Sequence, residues 1–278
     1  MTTAAGPHAL HCMEIWQGNH GVEHEVSTPG LDVWVYSRPY PGEASGGDVH
    51  YVSLCGGGMI TRLLVADVSG HGGAVAEVAK SLRGLMRRNI NRKDQGRLVA
   101  ALNREFTALS KDGRFATAVA ATYLTGGDTF AVCNAGHPRP LWYHAAEGKW
   151  SLLAAECAAA SDLPLGVDAR SDYSQIRIVL GRGDVVVLYT DALIEARNSA
   201  GRALGEEGLS GLAAGLKPDS ATEVGRGLLA AVDHYRGGSS ADDDVTVLAL
   251  YHNAGPRRRP SLLELPAVYA KAMGLWKV

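Results

Sequence analysis

Asp48, Asp67, Asp191 and either Asp243 or Asp244 each stand at the tip of an apolar run or in a tight loop. Those are places where a carboxylate can leave a core and face a ligand. Converging carboxylates repel one another, so a site built from them is stable only when cations neutralise it. Oxygen-only donors with room left for water suit Mg²⁺ or Mn²⁺ rather than zinc or copper. Two such ions about 3.5–4 Å apart can bind a phosphoryl group, lower the pKa of a shared water and stabilise the leaving oxygen. Chemistry of that kind needs no protein nucleophile, and the chain has neither a G-x-S-x-G elbow nor a G-x-x-x-x-G-K-[ST] phosphate loop. His71 follows Asp67 closely enough to protonate a leaving serine oxygen, or equally to cap the helix that begins there. His137, in an Ala-Gly-His-Pro turn, reads as a structural hydrogen-bonding residue.

The elements that must position these groups follow from periodicity. Leu63-Leu64-Val65-Ala66 is a continuous apolar run, the mark of a strand covered on both faces, and it ends at Asp67. After Gly73, Val75, Val78, Ala79, Leu82, Leu85 and Met86 recur at helical spacing, with Glu77, Lys80, Arg83, Arg87 and Arg88 on the opposite face, which reads as a solvated helix surface or else as a basic patch for an acidic partner or a second subunit. Val49–Leu54 and the central run flank Gly56-Gly57-Gly58, so an antiparallel hairpin brings Asp48 and Asp67 to one sheet edge. A buried strand over Asp184–Thr190 ends at Asp191 and repeats the Asp67 pattern. The Asp242-Asp243-Asp244 corner opens a last strand over Val245–Tyr251.

Further strands are expected over Leu31–Tyr36, Phe115–Leu124, Thr129–Asn134, Leu141–His144 and Ser174–Leu180. A second helix starts after the N-cap Asp94. A third covers Glu206–Leu216, and a fourth runs from the capping box Ser220-x-x-Glu223 to about Tyr235. Strands outnumber helices and the helices come in pairs after strand pairs, which favours an α+β layered sandwich over alternating βαβ units. Residues 1–30, with His8, His11, His20 and His24, read as an N-terminal arm. Residues 31–252 form the folded domain. Residues 253–278 form a basic linker with Arg257-Arg258-Arg259 and a short amphipathic helix over Ser261–Lys277.

With 29 acidic against 27 basic residues the net charge is −2, which gives no electrostatic pull toward nucleic acid or an anionic membrane. No apolar run approaches the roughly 18 residues a membrane helix needs. The four cysteines show no C-x-x-C spacing, so neither a zinc site nor a disulfide framework is indicated, and a cytoplasmic location is expected.

Seven motifs occur in the order found in the SpoIIE/RsbU-type branch of the metal-dependent (PPM) serine/threonine phosphatases, and the sequence resembles that family over about residues 31–252. They are Gly46-Gly47-Asp48, Val65-Ala66-Asp67-Val68-Ser69-Gly70-His71-Gly72, Phe115-Ala116-Thr117, Asn134-Ala135-Gly136-His137-Pro138, Pro164-Leu165-Gly166, Leu188-Tyr189-Thr190-Asp191 and Asp243-Asp244-Val245-Thr246. The resemblance implies a four-layer αββα sandwich of two antiparallel sheets flanked by helix pairs. It implies two Mn²⁺ or Mg²⁺ ions, and hydrolysis of phosphoserine or phosphothreonine on a protein such as a STAS-type anti-sigma-factor antagonist. Carried over, Asp67 would bridge both metals and the Val68 carbonyl would add a ligand. Asp48 would serve one ion, directly or through water, while Asp191 and Asp243 would serve the other. Asp242 and Asp244 would hold the loop. Ala192 departs from the family's Asp-Gly, and its methyl would crowd the turn if that position needs φ > 0. A homodimer is possible. The alternatives are a phosphatase fold that only binds a phosphoprotein, which intact acids at all four positions disfavour, and a metal-dependent nuclease, which the lack of a basic groove disfavours.

Overall fold

The apolar run before Asp67 is buried on both faces because it lies in the middle of one sheet of a sandwich. The computed structural model describes residues 8–11, 14–70, 73–89, 92, 94–110, 113–153 and 162–255. In chain order the elements are β1 (His8–Ala9), β2 (Ile15–Gly18), β3 (Val22–Thr28), β4 (Leu31–Arg38), β5 (Asp48–Cys55), β6 (Ile60–Val68), α1 (Gly73–Asn89) and α2 (Gln95–Leu109). These are followed by β7 (Ala116–Leu124), β8 (Thr129–Ala135), β9 (Leu141–His144), β10 (Lys149–Leu152), β11 (Ile176–Val179), β12 (Val185–Tyr189), α3 (Gly205–Ala213), α4 (Ala221–Tyr235) and β13 (Val245–His252).

One sheet has the order β1-β3-β4-β13-β12-β9-β10 and the other β11-β8-β7-β6-β5-β2. Pairing is antiparallel except for the two-residue parallel contact of β1 with β3. Side chains of opposite parity on each strand enter different layers. Val52, Leu63, Val65 and Val119 meet Val33, Val35, Leu188 and Leu248 between the sheets. Val49, Leu64, Ala66 and Ala118 instead meet Leu82, Leu85 and Phe106 of α1 and α2. On the far side, Trp34, Val187, Tyr189 and Val247 meet Leu209 of α3 and Val224 and Leu228 of α4. The result is the expected αββα order of layers.

Both expected helix caps form. The Asp94 carboxylate accepts the Arg97 N–H at 2.8 Å, and the Ser220 hydroxyl accepts the Glu223 N–H at 3.1 Å. Each such contact contributes about 1 kcal/mol. Helix α3 is shorter than its pattern and ends at Ala213, beyond which Gly215 and Leu216 form turns.

Three strands occupy residues 8–28, where patterning is weak. β3 pairs with β4 along its whole length and β2 borders β5. Edge strands need only part of one face buried, so neighbouring backbone fixes them and their own alternation is faint. His24 stacks on Trp16 with ring centroids 4.1 Å apart. The basic tail and its expected helix, residues 257–277, lie outside the described residues.

Gly225 places α4 flat on Trp34, because a Cβ there would stand 2.1 Å from the indole Cε3. Gly225→Ala should therefore destabilise the fold by about 1–3 kcal/mol in urea unfolding. A variant as stable as the parent would mean that Trp34 moves aside freely.

Candidate active site

The β5–β6 hairpin sets Asp48 directly opposite Asp67, and on the other side of β6 Thr117 of β7 is opposite Asp67. From the second sheet, β12 ends one residue before Thr190, and Asp191 opens a tight helical turn over Asp191–Leu193. Asp243 and Asp244 immediately precede β13, the neighbour of β12. Four strand ends thus deliver carboxylates from both sheets to one edge of the sandwich.

Their mutual repulsion is visible in Asp48, Asp67 and Asp191. Burial first, and then the charges of Asp67 and Asp244, push Asp48 well above the ordinary carboxylate range, while hydrogen bonds from Thr246 and Thr190 pull it back. Burial followed by Asp191, Asp243, Asp244 and Glu195 pushes Asp67 up to about 7. Asp191 rises to about 6, through burial and then Glu195 and Asp243. Asp48, Asp67, Asp191 and Asp243, the four acids singled out by sequence, therefore share one electrostatic site.

Asp244 has a different task. Its carboxylate accepts the backbone N–H groups of Tyr40 and Gly47, both at 2.6 Å, and of Asp48 at 3.4 Å. Gly46 makes this possible, since a Cβ there would lie 2.1 Å from Asp244 Oδ2. At the neighbouring Gly47 an added Cβ would stand 2.8 Å from Val75 Cγ1, 2.9 Å from the Val68 carbonyl oxygen and 3.5 Å from Asp67 Oδ1. The missing side chain thus leaves room beside a backbone oxygen and a carboxylate oxygen, both hard donors. Among the described residues, no three His, Cys, Asp or Glu side chains close into a cage able to hold an ion unaided. Open carboxylate sets completed by water are what Mg²⁺ and Mn²⁺ accept, so the donor set fits those ions.

His71 lies outside the described residues. His137 is buried, receives or donates a 2.8 Å hydrogen bond between its Nδ1 and the Thr117 hydroxyl, and has its backbone held by Asn134. Burial pushes its pKa down to about 3, which keeps the ring neutral and structural. Ala192 has no left-handed backbone, since among the described residues only Asp128 and Ala254 are non-glycines with positive φ. Its methyl is buried without strain, and its carbonyl accepts the Arg236 guanidinium at 2.9 Å.

Sequence reasoning missed Glu195, which acts on both Asp67 and Asp191, and the hydroxyls of Thr190 and Thr246, which act on Asp48. The available signals were the i, i+4 spacing of Asp191 and Glu195 and the threonines inside two recognised motifs. Beside Asp243 opens a cavity of about 300 Å³, bounded by Ala192, Glu195, Arg197, Arg236 and Asp242.

The fold is that of PP2C-type phosphatase domains. Superposition on the RsbU and RsbW domains of a Mycobacterium tuberculosis protein gives a TM-score of 0.70 at 24% identity, over 92% of this chain and 72% of that one. The PP2C domain of Bacillus subtilis SpoIIE with a fragment of its regulatory domain gives 0.66 at 15% identity, over 86% and 70%. RsbX in complex with magnesium gives 0.60 at 15% identity, over 83% and 99%. The sequence profile of Stage II sporulation protein E (SpoIIE) matches residues 58–253, and the chain belongs to the SpoIIE family.

The raised Asp67 has a measurable sign. Its folded value of about 7 exceeds the ordinary 3.8, so the folded state holds the proton more tightly, and in metal-free protein the group lowers stability as pH rises from about 4 through 7. Asp67→Asn removes that slope. In chelator, the stability of Asp67→Asn relative to the parent should grow across this window and level off above it. A difference that stays flat from pH 4 to 7 in parallel urea titrations would refute the coupling.

Proposed function

We propose that the chain is a metal-dependent protein phosphatase acting on phosphoserine or phosphothreonine. The observation that carries this is the meeting of Asp48 and Asp67 from one sheet with Asp191 and Asp243 from the other, in a state whose repulsion calls for cations. Asp67 would bridge two Mn²⁺ or Mg²⁺ ions, with the Val68 carbonyl beside it. Asp48 would serve one ion and Asp191 and Asp243 the other. When bound, such ions supply Lewis-acid chemistry, polarising the phosphoester and generating the nucleophile from water.

The chain's own part is to hold donors rigidly at strand ends and to keep the site open through Gly46 and Gly47. His71 is the proposed general acid for the leaving oxygen. The phosphoprotein we favour is a STAS-type anti-sigma-factor antagonist. Membership of the SpoIIE family supports this, as does similarity to a protein that carries an RsbU domain together with an RsbW domain. Among the described residues no helix is long and apolar enough to cross a membrane, in keeping with a substrate met in solution.

Phosphate release from a serine-phosphorylated STAS protein should require added Mn²⁺ or Mg²⁺ and vanish after chelation and desalting. Full turnover by stripped enzyme would overturn the proposal. Asp67→Asn should lose more than about a hundredfold in rate while retaining its circular dichroism. Retention of a tenth of the parent's rate would remove Asp67 from the centre of the mechanism.

A further inference from the structure

The acids come from two different sheets, so something must fix the distance between the sheets at this edge. Asp244 holds the loop that carries Asp48, and the Asp48 carboxylate itself is held from the second sheet by Thr190, with Thr246 beside it. Thr190 is wholly buried, and its hydroxyl donates to Asp48 Oδ2 at 2.9 Å while accepting the Thr246 N–H at 3.0 Å. Its own N–H donates to the Thr246 carbonyl at 3.0 Å. The hydroxyl proton makes its short bond to Asp48 of the first sheet, with the Thr246 carbonyl a longer alternative at 3.5 Å, and a lone pair accepts from the backbone of the second.

We infer that Thr190 is a positioning residue, a bolt between the sheets that sets Asp48 against Asp191 and thereby the spacing of the metal-holding carboxylates. The inference rests on the metal-dependent reading of the site. Asp191 is the next residue in the chain, so the backbone that places it is the same backbone that holds Asp48. The bond takes one lone pair of Asp48 Oδ2 and so fixes the rotation of the carboxylate. The β-branched side chain suits the task because its χ1 is stiff. A second tie runs parallel. Thr117, opposite Asp67, is hydrogen-bonded to His137, a buried ring that interacts in turn with the backbone of Tyr189. Both ties converge on the segment Tyr189–Asp191.

Partners that orient metal ligands typically change affinity by about 10–100-fold when removed. Thr190→Val keeps the shape and deletes the donor. Its Mn²⁺ affinity by calorimetry should fall by that factor, with a matching loss of turnover on a generic phosphoester, whereas Thr190→Ser should stay close to the parent. Thr61→Val is the structural control. The Thr61 hydroxyl donates to the Thr28 hydroxyl at 3.1 Å, at the other end of β6 from Asp67. Its loss should lower stability and leave Mn²⁺ affinity unchanged. Parental affinity in Thr190→Val, or equal weakening in Thr61→Val, would overturn the inference and leave the phosphatase reading intact. If the parent itself binds no Mn²⁺, the metal-dependent reading fails instead. Should Thr190→Val not fold, Thr190→Ala, which deletes the donor without adding bulk, replaces it with the same expectation.

Discussion

Like charges held side by side in a poorly solvated interior raise the free energy of the folded state, and this molecule gathers several at the shared edge of its two sheets. Asp48 is almost wholly buried and directly faces Asp67 across a strand pair. Asp191 and Asp243 add to the field from the other sheet. Such an arrangement survives only if the scaffold is stiffer than the repulsion it contains. Most of the architecture can be understood as meeting that requirement.

Stiffness comes first from the three apolar layers. Each sheet is buried on both faces over its central strands, so β5, β6, β12 and β13 cannot slide without opening the core. A one-residue slip would turn every side chain to the wrong layer. It comes next from polar contacts at the edge. Asp244, itself a carboxylate, receives backbone N–H groups from the loop that carries Asp48 and so supports that loop. Gly46 lets the loop approach closely enough for the contact to form.

The site also shows how one residue type takes different work from its surroundings. Asp243 and Asp244 are chain neighbours with the same side chain. Asp244 is turned inward onto N–H donors, while Asp243 stays at the rim beside the cavity that Glu195 and Arg197 border. His137 is buried and neutral, fixed between Thr117 and Asn134, and serves as part of the frame.

Much of this was legible in the order of residues. Continuous apolar runs ending in an acid located β6 and β12, because a strand covered on both faces leaves no polar position until it reaches its end. Helical spacing and capping residues located α1, α2 and α4, since those signals are local. The hairpin through Gly56–Gly58 even placed Asp48 near Asp67, because a short turn determines which residues face each other. What depended on tertiary structure was everything that joins distant segments. β2 is an edge strand, and β3 is covered on its outer side only by the two residues of β1, so their partners, not their own patterns, fold them. Glu195 and Thr190 matter through groups that belong to other strands: Thr190 meets Asp48 across an interval of 142 residues. Local sequence encodes periodicity and turns, but it carries no record of which side chains will meet when two sheets close on one another, and that meeting sets the charge and spacing of the site.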